Sequence, residues 1–245
     1  VCPLVFLAGL VDSIAGGGGL ISLPGYLIAG VPAHMALGTN KMSSTIGTSI
    51  SAVRLLKHGY LKGKNGYGHC IGSLCHDRFC SGSKNVFTGI RVCDPAYDDR
   101  CPSYCSLSCI KNKHMGEDEK TGTASYKKMF LISVIAAFFI GCYDGFYGPG
   151  TGTFLLLVLT GAARYTMKEA AGTTKAINLS SNVAAFVTFV IHGKIIYTLG
   201  LAAAICSILG NYIGSGLVMG NGQKIVRPLI LVVLAILFVK ILSGN

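Results

Sequence analysis

Two carboxylates stand where carboxylates are expensive. Asp12 and Asp144 are set in apolar sequence, and each is followed four residues later by the start of a glycine cluster. An ionisable group at membrane depth marks an ion or proton path by default. Each aspartate is therefore a candidate proton-coupling group, with pairing to Lys41 or Lys175 as the structural alternative. The first cluster is the run Gly16, Gly17, Gly18 and Gly19; the second is Gly148-Pro149-Gly150-Thr151-Gly152. Glycine weakens a helix interior, and proline removes a donor and clashes with the preceding turn. Each cluster should break its helix and expose a new helix N-terminus. Free N–H groups and a partial positive charge there make an anion site. Ser22, Thr151 and Thr153 could add hydroxyl donors. Close helix packing through small residues is the competing explanation of the glycines.

Lys41 and Lys175 are the candidate cations. Either could face the anion or a carboxylate, or snorkel to the membrane surface from near its helix start. Asn40, Asn178 and Asn182 are polar residues on otherwise apolar helices, suited to interhelical hydrogen bonds or to lining a cavity. His58 and His192 fall at helix ends and read as interfacial.

These residues come in two sets. GLVDSIAGGGG (9–19) resembles GCYDGFYGPGTG (141–152), LGTNK (37–41) resembles AGTTK (171–175), and His58-Gly59 resembles His192-Gly193. Three matches in one order indicate a duplicated architecture, which in secondary transporters puts the substrate site between the halves near the midplane.

The elements that carry these sets are membrane helices. Apolar residues make up 51% of the chain and charged ones 13%, and the apolar residues come in long blocks. Phe130 to Ile140, Ala170 to Ile191, Ile195 to Met219 and Ile225 to Leu242 are nearly uninterrupted; a crossing needs about 20 such residues. Several blocks exclude a single cleaved signal peptide. The net charge of +11 sits between the blocks, as cytoplasmic basic loops do, and no nucleic-acid-binding signature accompanies it. Only 11 residues precede Asp12, so the first helix is expected to begin upstream of Val1. The helix from about Ala36 runs into basic Lys57–Lys64, whereas its counterpart from about Ala170 begins after Arg164 and Lys168. The matched helices should point in opposite directions, as inverted repeats do.

GLVDSIAGGGGLISLP (9–24), HMALGTNKMSS (34–44), YDGFYGPGTGTF (143–154), TKAINLSSNVAA (174–185) and RPLILVVLAILFVK (227–240) together resemble the sulfite exporter TauE/SafE family of membrane permeases. The resemblance covers roughly the first 63 residues and everything from about residue 111. It implies a transporter of small sulfur-containing or organic anions such as sulfite or sulfonates.

The intervening segment departs from that pattern. Residues 65–109 are polar and hold seven of the ten cysteines, where the family would place two apolar helices. No C-x2-C pair occurs, so zinc is weakly supported, and a cytoplasmic location would disfavour disulfides. A compensated frameshift is the preferred explanation. Reading one base later turns every Cys codon into Val or Ala and every Asn, Asp, His or Tyr codon into Ile, Met or Thr. Lys64-Asn65 and Lys111-Asn112-Lys113 can both be coded by runs of A, where single-base slips arise easily. Two crossings restored there would leave the topology of the rest unchanged.

The resulting expectation is an all-α, polytopic transmembrane bundle of two inverted repeats with broken helices. Its parts are 1–63 as the first half, 64–110 as the anomalous segment, 111–128 as a cytoplasmic loop and 129–245 as the second half. Its function would be secondary transport of a small inorganic or organic anion across the cell membrane by alternating access. The substrate would bind at Gly16 to Gly19, Ser22, Asn40, Lys41, Gly148, Gly150 to Thr153, Lys175 and Asn178, with Asp12 or Asp144 carrying a proton. The lipid bilayer is the expected partner, with a homo-oligomer left open; no nucleic acid, cofactor or metal is expected. The alternatives are a membrane-embedded enzyme, for which neither H-E-x-x-H nor G-x-S-x-G appears, a channel, and a membrane-anchored metal-binding protein using the cysteine-rich segment.

Overall fold

A computed structural model describes residues 1–60, 126–146 and 148–242. The expectations about the cysteine-rich segment, its frameshift and most of the following loop lie outside the described residues. Among the described residues there are seven helices and no strand: α1 (Cys2–Ala15), α2 (Gly19–Ile28), α3 (Ala33–Lys57), α4 (Tyr126–Phe146), α5 (Thr151–Gly161), α6 (Met167–Ile191) and α7 (Tyr197–Leu242).

The glycine clusters end helices as expected, but each forms the tip of a hairpin. Gly16 takes φ 76° and its N–H bonds Asp12 O, closing α1 in a left-handed cap. The chain then runs back along α1. A Cβ on Gly18 would meet Asp12 Cβ at 2.6 Å, and one on Gly25 would meet Leu4 at 3.0 Å. The second tip is built alike. Gly148 and Gly150 take φ 82° and 84°, Phe154 packs edge-on against Tyr143, and Leu155 packs against Ala137. α2 has 10 residues and α5 has 11, or about 15 and 17 Å at the helical rise. Neither can cross about 30 Å of hydrocarbon, so the tips end inside the protein.

α3 and α6, of 25 residues each, form the centre. They pack antiparallel. Gly38 and Met42 near the start of α3 contact Phe189, and Gly38 also meets Lys194 beyond the end of α6. At the other end Gly172 meets Tyr60, and Lys168 Nζ lies 4.9 Å above the Tyr60 ring. A capping box fixes the start of α6, with Thr166 and Glu169 exchanging bonds to satisfy its first donors. Thr39, Asn40, Lys41, Ser43, Thr48 and Ser51 of α3 are all buried; a polar face turned inward is what a membrane helix carries around a site.

α7 packs along α1 through Gly210 and Gly214, a small-xxx-small pair. A Cβ on Gly214 would come within 2.7 Å of Leu10 O. α7 comprises 46 residues, about 69 Å if straight. Gly214 sits on Ser13 while Val233 packs on Gly17, so the run folds back between Val218 and Val233. It supplies two passes, and the turn falls beside the basic stretch from Lys224 to Arg227. Exposed Leu201, Ile205, Leu209, Ile213 and Leu217 on its first pass form the apolar face a lipid-embedded helix presents.

Candidate functional site

The two hairpin tips meet each other. Gly16 lies against Gly152, Gly19 against Pro149, and Thr153 Oγ1 donates to Ala15 O at 2.8 Å. The N-termini of α2 and α5 therefore converge on one point, with the antiparallel pair α3 and α6 beside them.

The lysines cross between the halves. Lys41 of α3 donates to Asp144 Oδ2 of α4 at 2.7 Å and to Asn182 Oδ1 of α6 at 3.0 Å. Lys175 of α6 donates to Asp12 Oδ2 of α1 at 2.8 Å and also to the Asp12 carbonyl. Lys41 and Lys175 are 6% and 3% exposed; neither snorkels. Each aspartate is paired here with the lysine from the other part of the chain. Thr151 Oγ1 shares its hydrogen between Gly148 O at 2.6 Å and Asp144 Oδ1 at 2.9 Å, and Thr48 Oγ1 approaches Asp12 Oδ2 at 3.4 Å.

A cavity of about 30 Å³ opens between the tips and these pairs, room for about two waters. Of the residues singled out from sequence, Asp12, Gly16, Gly19, Asn40, Lys41, Asp144, Gly148, Thr151, Gly152, Asn178 and Asn182 line it. The others stand behind. Gly17 packs on Val233, Gly150 is the N-cap of α5, and Gly18 backs onto α1. Thr153 stitches the tips together, and Lys175 holds Asp12. Ser22 donates to Asn40 Oδ1 at 2.7 Å, so its hydroxyl hydrogen is spent, as are those of Thr151 and Thr153. Asn182 serves both roles open to it, since it lines the cavity and links α6 to Lys41. His58 and His192 are the C-caps of α3 and α6, each ring turned onto its own helix.

Sequence reasoning missed Ser44, which lines the cavity, together with Leu23 and Leu37. It also missed Thr48, Ser207 and Asn211 beside Asp12. Ser44, Thr48 and the Asn40–Lys41 pair fall at helical spacing on α3, a signal that marks one polar face.

Comparison with known proteins finds membrane transporters. A probable membrane transporter protein of Sinorhizobium sp is 30% identical over 240 residues, covering 97% of this chain and 89% of the relative. One of Haemophilus influenzae is 29% identical over 239 residues, covering 93% and 87%. The probable membrane transporter protein YfcA of Escherichia coli K12 is 27% identical over 253 residues, covering 99% and 88%. No solved structure matches. Residues 1–75 and 103–241 match the family described as sulfite exporter TauE/SafE, and the unmatched stretch falls within the cysteine-rich segment. With most of its length matched and its apolar helices packed around paired buried charges, this multi-pass membrane protein belongs to the sulfite exporter TauE/SafE family of membrane transporters.

Proposed function

We propose that the chain is a secondary transporter of a small anion such as sulfite or a sulfonate. The anion would bind where the two hairpin tips meet Lys41 and Lys175. The observation that carries this reading is the crossed pairing of two buried lysines beside two converging helix N-termini. Two lysines balance two carboxylates, and the half-charges of the α2 and α5 N-termini are offset by those of the α1 and α4 C-termini at the same tips, so the closed site is close to neutral and a positive site for an anion appears only when a lysine leaves its carboxylate. The freed ammonium group and the N–H groups of the two helix starts would then face the anion together.

The two-water cavity is too small for an oxyanion while both pairs are closed. Binding would draw the lysine ammonium groups from the aspartates to the anion, opening the space. Asp144 or Asp12, left without its cation, then takes a coupling cation, a proton in the simplest case. The antiparallel α3 and α6 and the matched hairpins support an inverted repeat. Rocking one half against the other would separate the tips toward one side of the membrane and then the other.

The test is flux in proteoliposomes containing the purified chain. Saturable uptake of sulfite or a sulfonate, recovered chemically unchanged and lost in Lys41→Ala and Lys175→Ala, is the expected result. Chemical conversion of the solute would favour an enzyme, flux that does not saturate would favour a channel, and no flux with either anion class would reject the substrate assignment.

A further inference from the structure

Asp12 and Asp144 occupy matching positions in unlike surroundings. Asp144 Oδ2 accepts from Lys41, and its Oδ1 lies 2.9 Å from Thr151 Oγ1, whose one hydrogen is shared with Gly148 O at 2.6 Å. Among the described residues, Asp12 engages only Oδ2, through Lys175 and Thr48. Beside Asp12 a second cavity of about 10 Å³ lies between α1, α2, α3 and α7, about the space of one water.

Its polar wall is rich in oxygens, alongside the amide nitrogens of Asn40 and Asn211. Asp12, Ser43, Ser44, Ser207 and Asn211 all line it. Asn211 is the telling residue. It is 1% exposed on an apolar helix, and its Oδ1 has no hydrogen-bond partner among the described residues. Its Nδ2 donates to Ser207 O at 3.0 Å, which fixes the amide. The fold clears space for this side chain: a Cβ on Gly47 would lie 2.6 Å from Nδ2, and one on Gly9 would lie 3.0 Å from it. A buried amide oxygen without a partner is costly, and here it stands beside a carboxylate whose Oδ1 accepts no hydrogen bond from the described residues.

We propose that this second cavity binds the coupling ion, a small monovalent cation of sodium size held by Asp12, Asn211 and the hydroxyls of Ser44 and Ser207. A carboxylate, an amide carbonyl and hydroxyls are hard oxygen ligands, with no sulfur or imidazole among them. Once Lys175 leaves Asp12, this single carboxylate balances a single charge. A proton would need Asp12 alone and would leave Asn211 without a role. Asp12, Asn40 and Ser44 line both cavities, so the two sites share a wall. An anion that draws Lys175 off Asp12 frees that carboxylate for the cation, and each ligand tightens the other by the same factor. This inference rests on the anion reading above for its coupling, but the cation site itself can be tested alone.

The experiment measures radioactive sodium binding to the purified full chain in detergent, with and without sulfite. Sulfite binding is measured in parallel in sodium-free choline buffer. Wild type is expected to bind sodium saturably and stoichiometrically, and more tightly with sulfite present. Asn211→Leu and Asp12→Asn should each weaken sodium binding by about tenfold or more, the scale of losing a group that supports a bound metal. Asn211→Asp should retain it. If Asn211→Leu aggregates, Ser207→Ala replaces it with the same expected direction. Absence of saturable sodium binding in wild type, or unchanged binding in a monodisperse Asn211→Leu protein, would overturn the cation site. Sulfite binding that persists in choline and depends on Lys41 would then leave the anion reading standing. Loss of sulfite binding under all conditions would instead remove the anion reading.

Discussion

Gly16 and Gly152 touch through their backbones, so that a Cβ on Gly152 would sit 2.6 Å from Gly16 Cα and 2.5 Å from Asn178 Nδ2. Both contacts are below any separation real Cβ atoms show. The two tips are thus held at the distance two glycines permit, and the converging N-termini depend on it. Gly152→Ala should destabilise the protein by about 1–3 kcal/mol through overpacking. Gly16→Ala should cost more, because its φ of 76° adds left-handed strain. Thermal unfolding in detergent checks both; unchanged melting in Gly152→Ala would mean the tips are farther apart than described.

The crossed ion pairs make a sharper prediction. Removing one partner of a buried pair leaves an uncompensated charge and costs about 3–5 kcal/mol, whereas replacing both is often close to neutral. Lys41→Met should therefore lower stability strongly. Adding Asp144→Asn should recover most of it, because asparagine can still accept from Thr151 and carries no charge to orphan. Anion flux should be absent in both. A double variant no more stable than the single would show that Lys41 and Asp144 do not form a pair in the folded protein.

The Gly210 and Gly214 contact with α1 separates packing from binding. Neither glycine lines either cavity, yet both bear on the α1 backbone. Gly214→Leu should force α7 off α1 and lower the melting temperature. Gly214→Ala should do so less, and any protein that survives should bind sulfite with wild-type affinity. Altered affinity in a folded Gly214→Ala protein would show that this seam reaches the site.

Much of the site was legible because its chemistry is local in sequence. An aspartate four residues ahead of a glycine cluster is visible without a structure, as is a lysine shortly after Gly-Thr in each half, although the burial of those lysines was not. The crossing of the pairs was not legible, because Lys41 meets Asp144 and Lys175 meets Asp12 across more than a hundred residues. Only the antiparallel packing of α3 on α6 decides which lysine faces which carboxylate. The glycine clusters were read correctly as breaks, but the reversal of each chain into a hairpin depends on contacts such as Gly25 with Leu4. Asn211 escaped notice because one amide in a long apolar helix looks like any interhelical bond; its significance lies in what its oxygen lacks.

The contact between Gly19 and Pro149 tests whether the tips must part. A Cβ on Gly19 would lie 3.8 Å from Pro149 Cβ, within the span that a disulfide bridges. A Gly19→Cys, Pro149→Cys double variant should cross-link on oxidation, with the bridge identified by peptide mass mapping against the ten native cysteines. If transport requires the two halves to rock apart at the tips, oxidation should stop anion flux and reduction should restore it. Sulfite binding to the locked form should also weaken, because the closed cavity holds only about two waters. Undiminished flux in a fully cross-linked protein would show that the tips stay together through the cycle. The moving element would then be the pair α3 and α6, sliding past a fixed pair of hairpins.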